Sequence, residues 1–434
     1  MPGTIAIRNE TKSRWERRAA LTPDLVRRFV SSGLDVIVQP SARRVFRDKD
    51  YARAGAELNM DLSAADVIFG VKEVPSRLLE PNTAYMYFSH VIKGQPYNMG
   101  MLQTILDRRC TLIDYEMVRD DEGRRLIFFG RFAGLAGMID TLWTLGRRWA
   151  ARGLATPLAD LEPAHGYDSL ADAVAAIRTA GDAIASNGLP AGAGPLVIGV
   201  AGYGNVAKGA QEILSELPCS HITPAEALAL GDDADPRRIS VVTFKEVDLV
   251  EPVDAGRAFE LQHYYDHPEA YRSAFDPYLE RLTVLVNANY WDERYPRLAT
   301  LDRLREVFAA DHPKLKVIGD LGCDVGGTIE CTLKVTEPGD PVYVWDPTSG
   351  EIASGVDGPG PAILAVDILP AELPREASEE FSRALAPFVA DIAKTDFSAP
   401  FDELRLPAPI KRAVIAHRGE LTPEFAYLRE HLEP

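Results

Sequence analysis

The stretch PLVIGVAGYGNVAKGA, residues 195–210, constrains the fold more than any other. Its apolar first half predicts a buried strand. That strand runs into Gly202-Tyr203-Gly204-Asn205-Val206-Ala207, which matches G-x-G-x-x-G/A. NVAKGAQEILSEL then reads as a helix. Strand, glycine turn and helix in that order are the setting in which such a turn holds a dinucleotide. Gly202 permits the tight turn, and Gly204 lets the backbone approach a pyrophosphate. Ala207 lets the helix pack close to the sheet. The helix start supplies free N–H groups and a positive dipole end. The plain alternative is a glycine-rich turn with no ligand; the flanking strand and helix favour the dinucleotide.

Similar alternation runs along the chain. Strands are predicted at 4–8, 34–40, 65–71, 84–88, 110–116 and 125–129, with helices at 21–33 and 98–109 between them. A long helix covers roughly 132–152; its glycine- and alanine-rich faces suit close packing between two domains. Another helix covers 168–187. After the glycine turn, strands are predicted at 239–244, 282–290, 315–322 and 362–370, with helices at 301–310 and 375–394. This β-α-β order predicts mostly parallel sheets with helices on both faces.

A length of 434 residues suits two domains, and 46% hydrophobic residues suffice for two cores. The net charge of −17 argues against nucleic acid or an anionic membrane as partner. Four cysteines, none in a C-x-x-C pair, make neither a disulfide framework nor a zinc site. The histidines have no metal-ligand spacing, so no metal is expected. No signal-peptide core and no run of about 18 apolar residues is present. A soluble, cytoplasmic protein is expected.

The first third of the chain concentrates charge at strand ends. NETKSRWERRAALTP (9–23) holds Glu10, Lys12, Glu16, Arg17 and Arg18. Lys72 follows the 65–71 strand, and His90 and Lys93 follow the 84–88 strand. Glu116 ends the next one, and Arg125 begins another. In an open α/β sheet, ligands sit outside the carboxyl ends of the strands, so Lys72, His90 and Glu116 are expected at one edge. Taken alone, His90 reads as a structural residue and Lys72 as a solvated one; together they suggest a site.

R-x-E-x-K-x-x-x-E-x-R, GVKE, FSHVIKGQ, IDYE, FGRFAGLAGM, GNVAKGAQ, ELPC, CDVGG and LPREAS occur in order along the chain. In this set the chain resembles the lysine-forming saccharopine dehydrogenases. More closely it resembles the lysine-ketoglutarate reductase domain of the bifunctional lysine-degrading enzymes. Alanine dehydrogenase and transhydrogenase are distantly similar. The resemblance implies two Rossmann-like doubly wound α/β domains with a cleft between them. Residues 1–140, completed by 375–434, would form the substrate domain, and 141–374 the dinucleotide-binding domain.

The family joins the lysine ε-amine to the ketone of 2-oxoglutarate and reduces the resulting imine to saccharopine with a nicotinamide. One group must deprotonate the ammonium, and others must move protons to the carbinolamine oxygen. The resemblance gives these roles to Lys72 and His90. It implies Arg18, Lys93 and Arg125 as carboxylate anchors. Glu16, paired with Lys12, would tune the charge, and Glu116 would hold the ammonium or orient a cation. On the cofactor side Gly202, Gly204, Asn205 and Val206 carry the phosphate turn. Asn287, Tyr290, Asp320, Asp324 and Asp367 are implied beside the nicotinamide and its ribose. About twenty residues past the turn, CSHITPAEAL (219–228) shows no acid at a strand end, which favours NADP over NAD. Two rival readings stand: another reductive aminase of the same fold, or a non-catalytic NADP-binding regulator.

Overall fold

The computed structural model describes residues 3–432. They divide into two compact units, 1–129 with 374–434, and 130–373. The first crossing thus falls before a continuous helix, Gly130–Ala151, and not at residue 140, ten residues inside it.

The first unit is an eight-stranded sheet. Its spatial order is Glu420–Leu421, Val414–His417, Thr111–Asp114, Ala84–Tyr87, Val67–Phe69, Thr4–Ile7, Asp35–Val38, Glu57–Leu58. Six strands are parallel; Val414–His417 runs antiparallel to Thr111–Asp114, and Glu420–Leu421 antiparallel to Val414–His417. The parallel strands are short apolar runs buried along nearly their whole length, the pattern of a sheet covered on both faces. Strand order reverses at Thr4–Ile7, which has Asp35–Val38 on one side and Val67–Phe69 on the other. That reversal is the topological switch point, where ligands of open α/β sheets bind.

The returning helix Pro374–Ala393 closes this unit. Ser378 and Ser382 Oγ accept from the N–H groups of Ala19 and Thr22, each at 2.9 Å. Phe381 stacks on Phe129 with centroids 4.5 Å apart and meets Tyr115 edge-on at 4.8 Å. Residues 125–129 form no strand. Arg125 makes one isolated bridge to Arg119, and the segment is then drawn into this aromatic cluster instead of a ladder.

The second unit has its own eight-stranded sheet. The order is Ile352–Ser354, Val342–Trp345, Ala362–Leu364, Val317–Asp320, Val284–Asn287, Val197–Ala201, Ile239–Phe244, Cys219–Ile222. All pairs are parallel except those made by Val342–Trp345. Helix Gly130–Ala151 packs inside this unit, against helix Asn205–Leu214. The contact is backbone to backbone. A Cβ on Gly134 would lie 1.9 Å from Val206 O, and one on Gly209 2.0 Å from Arg131 O. Among the described residues, no helix is long and apolar enough to cross a membrane.

Candidate active site

Lys72 leaves the carboxyl end of the Val67–Phe69 strand at the switch point of the first unit. Its backbone is fixed from the neighbouring strand: Glu10 accepts from the N–H groups of Val71 (2.8 Å) and Lys72 (3.1 Å), and Arg8 holds Glu10 at 3.2 Å. Burial pushes the Lys72 ammonium below the usual lysine range. The Arg18 cation pushes it the same way, while Glu16 and Glu73 oppose. A half-buried lysine with a depressed pKa is a competent proton acceptor.

Arg18 is itself buried and committed. Its Nε and Nη2 donate to the two Glu16 oxygens at 2.8 and 2.6 Å, and its guanidinium lies 4.2 Å above the Phe129 ring. This bidentate pair replaces the expected Glu16–Lys12 pairing. Burial alone would raise the Glu16 carboxyl, but Arg18 brings it below its ordinary value. With Arg18 only 3% exposed, it reaches Lys72 as a fixed charge. Lys12 instead donates to Glu73 at 2.6 Å.

His90 sits just past the adjacent strand, Ala84–Tyr87. Its φ of +51° is a left-handed conformation that a non-glycine residue adopts at a cost, so its surroundings must impose it. Asn98 Nδ2 donates to the Ser89 and His90 carbonyls at 3.0 and 3.2 Å. The buried Asp114 accepts from the Ser89 N–H (3.0 Å) and hydroxyl. Burial pushes the Asp114 carboxyl up to about 6. The imidazole Nδ1 then meets Glu73 Oε1 at 2.7 Å. With Glu73 ionised, Nδ1 carries the proton and Nε2 is left to take or give one.

Glu73 was not singled out from the sequence, although it follows Lys72 directly. Burial would raise its carboxyl. The hydrogen bonds and charges of His90 and Lys12 outweigh that and hold it at about 2. Its Oε2 is buried without a hydrogen-bond partner. Because the folded value is depressed, Glu73 stabilises the fold above its unfolded pKa. The contribution disappears as pH falls through the folded one. Wild type is therefore expected to lose stability between about pH 4.3 and 2 that a Glu73→Gln variant does not lose. Urea unfolding at pH 7, 4.5 and 3 measures this; equal acid losses in both proteins would contradict it.

Glu116 and Arg125 pair with each other, past the end of the Thr111–Asp114 strand. Lys93 is exposed. The structure thus gathers Glu16, Arg18 and Glu73 around Lys72, with His90 held on Glu73, and sets Glu116 and Arg125 together as a separate pair.

In the second unit the glycine turn follows Val197–Ala201. Gly202 has φ +107°, and a Cβ there would meet Asn289 Oδ1 at 2.7 Å. Above Gly204 a Cβ would meet nothing within 4 Å. Helix Asn205–Leu214 begins without a side-chain cap, so its first N–H groups, at Asn205 and Val206, face the opening. These features fit a dinucleotide pyrophosphate. Asn287 and Asp320 are buried and bound together, Nδ2 to Oδ1 at 2.7 Å; Thr332 donates to the other Asp320 oxygen at 2.6 Å. Burial raises the Asp320 carboxyl. This pair braces two adjacent strand ends. Tyr290, Asp324 and Asp367 are exposed.

The family model described as alanine dehydrogenase/PNT, N-terminal domain, matches residues 6–136. An alpha-aminoadipic semialdehyde synthase of Arabidopsis thaliana is 38% identical over 98% of this chain and 41% of its own length. A mitochondrial one of Bos taurus is 36% identical over 98% of this chain and 47% of its own length. The chain therefore spans less than half the length of these relatives. A saccharopine dehydrogenase (NAD⁺, L-lysine-forming) of Emericella nidulans is 25% identical, covering 88% of this chain and 90% of its own. An L-alanine dehydrogenase structure aligns over 99% of the chain and 100% of its own, with a TM-score of 0.64 and 17% identity, a likeness of fold. The chain is thus similar over nearly all of its own length to part of the alpha-aminoadipic semialdehyde synthases, more distantly to lysine-forming saccharopine dehydrogenases, and in fold to alanine dehydrogenase.

Proposed function

We propose that the chain catalyses the reductive condensation of L-lysine with 2-oxoglutarate to saccharopine, with NADPH as reductant, in a cytoplasm-like reducing compartment. The observation that carries this reading is the meeting of Lys72 and the His90–Glu73 pair at adjacent strand ends of the first unit. Lysine arrives as an ammonium and is not a nucleophile until it loses a proton. Lys72, with its depressed pKa, takes that proton. The amine attacks the ketone carbon of 2-oxoglutarate. His90, its Nδ1–H held by Glu73, takes a proton from the attacking nitrogen at Nε2 and passes it to the alkoxide; Lys72 then returns the proton it took, and the hydroxyl leaves as water to give the protonated imine. The Gly202–Val206 turn would hold the pyrophosphate of a reduced nicotinamide dinucleotide, which would supply the hydride for the imine carbon. Of the cations implied as carboxylate anchors, Lys93 and Arg125 are exposed, whereas Arg18 is buried on Glu16 and acts on Lys72 by its charge.

NADPH oxidation with 2-oxoglutarate and a panel of amines tests this. Turnover is expected with lysine, and saccharopine as product by mass. Turnover with a different amine but not with lysine would replace the proposed substrate. NADPH binding without turnover on any amine would leave only a nucleotide-binding protein.

A further inference from the structure

The ribose nearest a glycine turn is read by the strand lying beside it, since the adenosine half crosses that strand end. In sequence the next strand after the turn is Cys219–Ile222, but this is the sheet edge. The strand beside Val197–Ala201 is Ile239–Phe244. Ala201 is in register with Phe244, and Gly202 N–H donates to Phe244 O at 3.0 Å. The chain leaves that strand level with the glycine turn as Phe244-Lys245-Glu246.

These three residues are not equivalent. Phe244 is buried and apolar, at a position where a carboxylate would bind a free 2′-hydroxyl. Glu246 is an acid, but its Oε1 accepts from the hydroxyls of Tyr265 (2.8 Å) and Tyr203 (3.3 Å). Lys245 is exposed, and among the described residues no ion pair holds its ammonium. Next to it lies a cavity of 130 Å³ between the loops that follow Ile239–Phe244 and Val284–Asn287. Tyr264, Tyr265, Tyr290 and Trp291 line it beside Glu246. Flat aromatic walls suit a stacked purine.

We propose that Lys245 reads the 2′-phosphate of NADPH, with the adenine in the aromatic pocket walled by Tyr265 and Trp291, while Glu246 fixes the Tyr265 wall. This rests on the reading of the chain as a nicotinamide-dependent reductase and names the residue that selects the nucleotide. An ammonium is a point charge suited to phosphate and has nothing to offer a neutral diol.

The test is direct binding, measured by reduced-nicotinamide fluorescence with NADPH and NADH and no amine or oxo acid. Lys245→Ser is expected to weaken NADPH about 10- to 100-fold and leave NADH within about twofold. Lys245→Arg is expected to keep the NADPH preference. Glu246→Gln is expected to shift both nucleotides together. Equal affinities of wild type and Lys245→Ser for NADPH would overturn the proposal, as would an equal loss for both nucleotides. A gain for NADPH alone in Glu246→Gln would give the reading of the ribose to Glu246 and overturn it too. Normal selectivity in a protein that never turns over lysine would sink the proposed reaction and leave this inference standing.

Discussion

Lys72→Met is expected to lower kcat by about a hundred- to ten-thousandfold, the usual contribution of a positioned acid–base group. The replacement is close in volume, and the site it fills is half-buried. Taking an ammonium out of a desolvated place removes two unfavourable contacts, to Arg18 and Lys12, and two favourable ones, to Glu16 and Glu73. Thermal stability should therefore change little while turnover collapses. In wild type, kcat/KM for lysine should rise with pH to a plateau along a limb whose apparent pKa lies below the ordinary lysine value of about 10.4. In the variant that limb should be gone. A folded Lys72→Met protein with near-normal kcat would remove Lys72 from the mechanism and leave His90 as the sole proton handler to test.

Arg18→Met is expected to cost about 3–5 kcal/mol of stability, the penalty for removing one partner of a buried ion pair. Glu16 would keep its charge in a place only 2% exposed, without the two hydrogen bonds that now hold it. Urea unfolding measures the loss. The double variant Glu16→Met/Arg18→Met should recover much of it, because no buried charge is then left alone. The same substitution has a kinetic signature. Arg18 is the main neighbouring charge that depresses the Lys72 pKa, after burial itself. Without it, and with an uncompensated Glu16 nearby, the Lys72 pKa must rise and the limb in kcat/KM move to higher pH. A destabilised variant with an unmoved pH profile would make the pair purely structural and separate it from Lys72.

The two α/β layers were legible because their signals are local. Short apolar runs such as 84–87 and 197–201, each followed by a turn and a helix, need no knowledge of the rest of the chain. The glycine turn was legible for the same reason: its requirements fall within six consecutive residues, and Gly202 does adopt the positive φ that the motif needs. Lys72 and His90 could be named because each stands at the end of a readable strand. The 125–129 segment misled because an apolar run has the same composition whether it joins a ladder or an aromatic cluster. Only the packing of Phe129 on Phe381, from the far end of the chain, separates the two outcomes.

Partners were a different matter. Lys12 pairs with Glu73, 61 residues away, and not with Glu16, four residues away. His90 takes its acid from 17 residues upstream, past the end of the neighbouring strand. A charge pairs with whatever the fold brings within about 4 Å, and sequence spacing has no say in that outside a helix. Strand order likewise belongs to the whole sheet. By itself the sequence determined that this chain forms parallel α/β sheets with a dinucleotide turn and cations at strand ends, since periodicity and glycine geometry act over a few residues. Only the tertiary structure decided that Glu73 joins Lys72 to His90, and that Ile239–Phe244 inserts beside the turn. Hydrogen-bonded neighbours in a sheet are chosen by long-range packing that no local pattern encodes.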